Sequence, residues 1–83
     1  MNTRISVNPN IHFGKPCITG TRIPVQSILE LVSEGISFTD IIRDYYSNIE
    51  IPDIKACFQY AIEIIAAEEI NVTKLRKAPL YNE

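Results

Sequence analysis

The hydrophobic and polar positions divide the chain into an N-terminal stretch that alternates and a longer remainder that repeats with the period of a helix. Arg4-Ile5-Ser6-Val7-Asn8 alternates polar and apolar residues, the pattern of a strand with one buried face. Asn8-Pro9-Asn10 supplies turn chemistry, Ile11 and Phe13 resume the alternation, and Cys17-Ile18 offers a second short strand to pair with the first. A two-stranded hairpin is barely stable in water on its own, so this arm must pack on the rest of the chain or on a second copy.

From Val25 onward, Val25, Ile28, Leu29, Val32 and Ile36 recur at helical spacing, with Pro24 suited to a first turn and Gly35 to a C-terminal cap. The pattern predicts a first helix from about Pro24 to Glu34. Ser37 with Asp40 three residues later resembles a capping box and predicts a short second helix, Phe38 to Tyr46, with Ile41, Ile42 and Tyr45 on one face. Ser47-Asn48 ends it. Pro52 and Asp53 suit the first turn of a third helix, running to about Glu69.

That third helix is apolar almost all round between Ala56 and Ala67, with Lys55, Gln59 and Glu63 as one narrow polar stripe. Phe58, Tyr60, Ile62, Ile64 and Ile65 exceed what one small core covers, which predicts a second interface with another copy or a partner protein. Val72, Leu75, Leu80 and Tyr81 are the residues through which the C-terminal segment would add to that surface or cover it. The reading is a mainly α fold: a three-helix, homeodomain-like (helix-turn-helix) unit preceded by an N-terminal β-hairpin arm. Residues 1–69 form this single domain and residues 70–83 a C-terminal tail, flexible or partner-binding.

The stretch Gly14 to Val25 joins the two halves. Gly14-Lys15-Pro16 and Gly20-Thr21 are turn signals on either side of Cys17-Ile18, and Thr21-Arg22-Ile23-Pro24 leads into the first helix. The glycines and prolines specify a shape that presents Lys15 and Arg22 on a stiff support.

Composition narrows the class. The chain has 83 residues, of which 46% are hydrophobic, too many for a wholly disordered chain. No apolar run approaches the roughly 20 residues of a membrane span, and no apolar signal core follows Met1-Asn2-Thr3-Arg4, so a cytoplasmic location without membrane contact is expected. The net charge of −2 conceals a separation of sign. Up to Leu29 the chain carries Arg4, Lys15 and Arg22 and no acid. Between Glu30 and Glu69 nine acids oppose only Arg43 and Lys55, and Lys74, Arg76 and Lys77 make the tail basic again. Phosphates would therefore meet the arm or the tail before the helices. Candidate DNA contacts are Arg4, Lys15, Thr21 and Arg22 on the arm and Lys55 and Gln59 on the third helix.

Chemistry of other kinds finds little support. Cys17 and Cys57 lie far apart with no second cysteine or histidine at metal-ligand spacing, so both read as small buried thiols. His12, the single histidine, lacks a partner constellation. No nucleophile with its base and no phosphate-cradling glycine loop is present, so no enzymatic activity, cofactor or metal is expected.

The segments I-S-V-N-P-N-I, G-K-P-C-I, G-T-R-I-P-V and I-L-E-L-V-S-E-G-I-S, with D-I-I, D-Y-Y, D-I-K-A and Y-A after them, carry a resemblance. Together they resemble the small bacterial "domain of unknown function four-three-three" family from about Arg4 to Ile65. The resemblance implies a homeodomain-like fold, commonly dimeric, and the antitoxin half of a toxin-antitoxin pair whose partner is a PIN-like ribonuclease toxin encoded nearby. Thr19 and Glu50 depart from the family pattern, which often has Arg at the first position and Ser or Thr at the second. The combined expectation is an antitoxin that neutralises the nuclease and, through operator DNA, represses its own operon. A stand-alone helix-turn-helix transcriptional regulator is the alternative.

Overall fold

The computed structural model describes residues 3–75, with side chains through residue 68. It is a hairpin followed by three helices. Strand β1 (Ile5–Val7) pairs antiparallel with β2 (Pro16–Ile18), placing Ile5 opposite Ile18, Ser6 opposite Cys17 and Val7 opposite Pro16. Three helices follow: α1 (Val25–Ser33), α2 (Phe38–Asp40), which runs directly into a π-helical turn (Ile41–Tyr45), and α3 (Ile51–Leu75).

Local chemistry accounts for most of the boundaries. Asn8 opens the turn after β1, its carbonyl accepting from Ile11 N–H at 2.9 Å and its side chain from Asn10 N–H at 2.8 Å. Pro24 lies just outside α1 as its N-cap, in extended backbone, and not within the first turn. At the other end Gly35, at φ 93°, allows the chain to reverse: Gly35 N–H bonds Val32 O at 2.9 Å and Ile36 N–H bonds Leu31 O at 3.1 Å. These two bonds form a Schellman cap, and only glycine takes that backbone without strain. Ser37 caps α2, its hydroxyl accepting from Asp40 N–H at 3.1 Å.

α3 solves its start differently. Glu50 occupies the cap position, and Asp53 reaches back to accept Glu50 N–H on Oδ2 at 2.9 Å, the reciprocal half of a capping box. The helix begins at Ile51, so Pro52 sits in its first turn, and it continues through Leu75, six residues beyond the expected end at Glu69.

Two expectations about the alternation and the helical face are corrected. Ile11 and Phe13 do not resume a strand: His12–Gly14 is a tight turn in which His12 (φ 51°), Phe13 (φ 57°) and Gly14 (φ 86°) are all left-handed. Ile41 and Ile42 both pack on the core, but Tyr45 does not join them; the backbone after Asp40 is wound with i to i+5 bonding, Tyr46 N–H to Ile41 O at 2.8 Å. That winding brings Ile41 and Tyr46 to the same side. Ile41 is fully buried and Tyr46 packs on the core, whereas Tyr45 is exposed.

The core is built from Ile5, Ile18, Ile23, Val25, Ile28, Ile41, Ile49, Ile54, Ala56 and Cys57, with Leu29, Leu31, Phe38 and Phe58 packed on its margin. β1 and β2 thus fold onto α1 and α3, which gives the marginal hairpin its support. Cys17 and Cys57 are both free and buried, as their spacing predicts. The thiol of Cys57 is pushed up to about 12, chiefly by burial and secondarily by the nearby charge of Asp53, so it stays protonated.

Candidate nucleic-acid and partner interface

The candidate residues separate into three groups. The first lies around the hairpin. Lys15 and Arg22 are exposed and, among the described residues, carry no ion-pair partner. Arg22 lines a hollow of about 510 Å³ together with Ser6, Asn8, Ile11, Gly20 and Thr21. Thr21 is at the same hollow, but its hydroxyl is committed to the turn, donating to Ile18 O at 2.7 Å and accepting from Ile23 N–H at 3.0 Å. Arg4 does not join them: its guanidinium bonds Asp53 Oδ1 at 2.9 Å and so ties β1 to the start of α3.

The second group lies on the polar stripe of α3. Lys55 and Gln59 are both exposed, one turn apart. Gln59 donates its amide to Glu63 at 3.1 Å, so an acid stands beside it where a phosphate would have to approach. This stripe is a poor recognition surface compared with the arm. Arg43, in the turn after α2, is bound to Asp40 at 2.8 Å and to Asp44 at 2.9 Å. The Arg43 guanidinium holds the Asp44 carboxyl below the usual carboxylate range.

The apolar residues of α3 form the third group, and the fold divides them. Phe58 is half-buried and stacked on Phe38, ring centres 5.9 Å apart, so its surface is largely spent within the domain. Tyr60 is partly buried against the core. Ile62, Ile64 and Ile65 are 57%, 48% and 57% exposed, and every residue from Ile62 to Glu68 is exposed. Among the described residues, the buried ones of α3 end at Cys57, so the helix runs on past the body it packs on. Where it leaves the body, an apolar groove of about 300 Å³ opens between Pro16, Pro24 and Leu29 on one side and Tyr60, Ile64 and Ile65 on the other. Of the tail candidates, only the backbone of Leu75 is described, and Leu80 and Tyr81 lie outside the described residues.

Phe13 and His12 were not among the candidates. Phe13 is fully exposed, and the His12 ring donates from Nε2 to Arg22 O at 2.8 Å, linking the left-handed turn to the Arg22 loop. The Gly14-Lys15-Pro16 turn signal was the clue, since it stops a strand before it can reach Phe13.

Among the described residues no group of three or more His, Cys, Asp or Glu is placed to hold a metal ion, and no helix is long and apolar enough to cross a membrane. No curated protein matches the chain. A solved structure, the crystal structure of a DUF433 member protein from Anabaena variabilis, is similar at 22% identity with a TM-score of 0.66, covering 88% of this chain and 69% of that one. At that identity the likeness concerns the fold. The family described as "Protein of unknown function (DUF433)" matches over residues 5–61, from β1 into α3, and the chain belongs to it.

Proposed function

We propose that this protein is the antitoxin of a type II toxin-antitoxin pair, acting in the cytoplasm as a dimer and neutralising a PIN-like nuclease toxin encoded beside it. The observation that carries the reading is the exposed apolar stretch of α3 from Ile62 to Ile65. Among the described residues, Ile62, Ile64 and Ile65 are about half exposed on α3, and Ile64 and Ile65 line an open apolar groove against Val25 and Leu29. A helix apolar on more than one side is stable in water only when something packs on it. Glu63 and Glu68 are exposed on the same segment. A partner that accepts it would combine an apolar seat with positive potential, as an RNA-cleaving groove does. Neutralisation then needs binding alone, without a catalytic step.

Co-expression with the neighbouring nuclease tests this directly. The expected result is restored growth and a complex that purifies together, with Ile62→Asp/Ile65→Asp abolishing both while the variant stays folded. A nuclease left toxic by the wild-type chain sinks the reading.

A second activity, binding to operator DNA, is favoured by a separate observation: among the described residues Lys15 and Arg22 carry no ion pair and stand on an arm without acids, while Arg43 of the helical region is bound to Asp40 and Asp44. Replacing both should weaken binding to the DNA upstream of the gene and lower the salt slope by about one unit per lost phosphate contact.

A further inference from the structure

Phe13 is the most exposed large apolar side chain among the described residues, and it is held in an unfavourable backbone. A bulky residue with positive φ is an outlier, and here two consecutive non-glycine residues, His12 and Phe13, take that geometry before Gly14. The core gains nothing from the arrangement, because Phe13 is fully exposed. Hydrogen bonds hold the turn: Gly14 N–H to Ile11 O at 3.0 Å, Lys15 N–H to His12 O at 3.2 Å, and the His12 ring to Arg22 O at 2.8 Å. The backbone that carries Phe13 is thus braced, and its ring stands in solvent.

The surroundings identify what such a ring would meet. From Thr3 to Leu29 the chain has no acid, Lys15 follows Phe13 by two residues, and the His12 ring sits against the Arg22 backbone. The adjoining hollow offers Ser6, Asn8 and Arg22, the residue types that contact phosphate and sugar. A protein-binding anchor is normally ringed by apolar contacts that exclude water, whereas Phe13 adjoins His12, Gly14 and Lys15. We propose that Phe13 is a wedge that enters the minor groove of duplex DNA and inserts between neighbouring base pairs, with Lys15 and Arg22 on the flanking phosphates.

This rests on the operator-binding reading above and adds to it the groove and the residue. The minor groove is roughly 6 Å wide, too narrow for a helix of about 10 Å diameter yet open to a three-residue turn. Apolar side chains inserted from that groove part the base step and bend the duplex, most cheaply at a pyrimidine–purine step such as TA. A wedge must not yield when it meets the stack, which is the use of a braced turn.

The test titrates the full-length protein onto duplex DNA taken from upstream of its gene, with a fluorescent adenine analogue at a central TA step that brightens on unstacking. Wild type should bind and brighten the probe. Phe13→Ala should bind about tenfold more weakly, leave the probe dark and keep the wild-type salt slope, while Phe13→Trp should restore both affinity and brightening. Lys15→Ala/Arg22→Ala should weaken binding with a shallower slope. Phe13 touches no core residue, so matching melting curves will show these variants to be folded. Unchanged affinity and brightening in Phe13→Ala would overturn the wedge and leave operator binding standing. If wild type fails to bind, operator binding falls and the wedge with it. If Phe13→Ala keeps DNA but loses the neighbouring nuclease, Phe13 is a protein anchor and the proposal is wrong.

Discussion

Arg4 and Asp53, separated by 49 positions in the chain, are joined by an ion pair of 2.9 Å between Nη1 and Oδ1. Asp53 uses its second oxygen to cap α3 through Glu50 N–H, so one carboxylate holds both the hairpin and the helix start. The half-exposed Arg4 contributes a tie worth at most about 1 kcal/mol, while loss of a cap costs typically about 1 kcal/mol.

Asp53→Ala should therefore destabilise the domain by about 1–2 kcal/mol and Arg4→Ala by about 0.5–1 kcal/mol, read from urea midpoints. The double variant should lose less than the sum, because both remove the same pair. Strictly additive losses would show that the tie carries no energy.

Gly35→Ala isolates a backbone effect. A Cβ built there meets nothing within 4 Å, so only the left-handed φ of 93° opposes it. The expected cost is about 1–2 kcal/mol with no change in denaturant slope. An unaffected midpoint would mean that the turn after α1 opens freely.

Alkaline pH should reveal Cys57. Its proton is held from the ordinary 9.0 up to about 12 in the folded chain. The unfolded chain loses that proton first, so the stabilisation is complete below pH 9.0 and declines as pH rises toward about 12. Cys57→Ala should flatten that decline, and native Cys57 should resist alkylation until the chain is unfolded. An alkaline profile identical in the variant would assign the decline to other groups.

Core and surface isoleucines should part company. Ile54, fully buried, should cost about 2–5 kcal/mol on replacement by Ala, a large share of what an 83-residue domain has to lose. Ile62→Ala should stay within about 0.5 kcal/mol of wild type in thermal melts of the isolated protein. A large loss at Ile62 would mean that the stretch of α3 around it is already covered, for instance by a second copy at the working concentration.

Much of this protein is legible in residues that lie within a few positions of one another. Gly35 announces the Schellman cap, Ser37 the start of α2, Asn8-Pro9-Asn10 the turn and the spacing of Val25, Ile28 and Val32 the buried face of α1, because caps, turns and helical faces depend on chemistry within about five residues. Glu50 brings no cap hydroxyl, and Asp53, three residues on, makes the reciprocal bond of the capping box instead. The π-helical winding after Asp40 left no comparable trace. Ile41, Ile42 and Tyr45 fit an ordinary helix equally well, and packing selected the phase that buries Ile41 with Tyr46.

By itself the sequence determined the order of elements, the hairpin arm, the separation of charge and an excess of apolar surface on α3. It could not say where that excess lies. Burial is a property of the assembled core, which uses Phe58 against Phe38 and leaves Ile62, Ile64 and Ile65 bare once α3 has outrun it. Only the tertiary structure tied Arg4 to Asp53, by bringing together two residues 49 positions apart in the chain. Only the tertiary structure set Phe13 outward beside Lys15 and Arg22, because a left-handed turn braced by a bond from His12 to Arg22 is decided by residues the chain keeps apart.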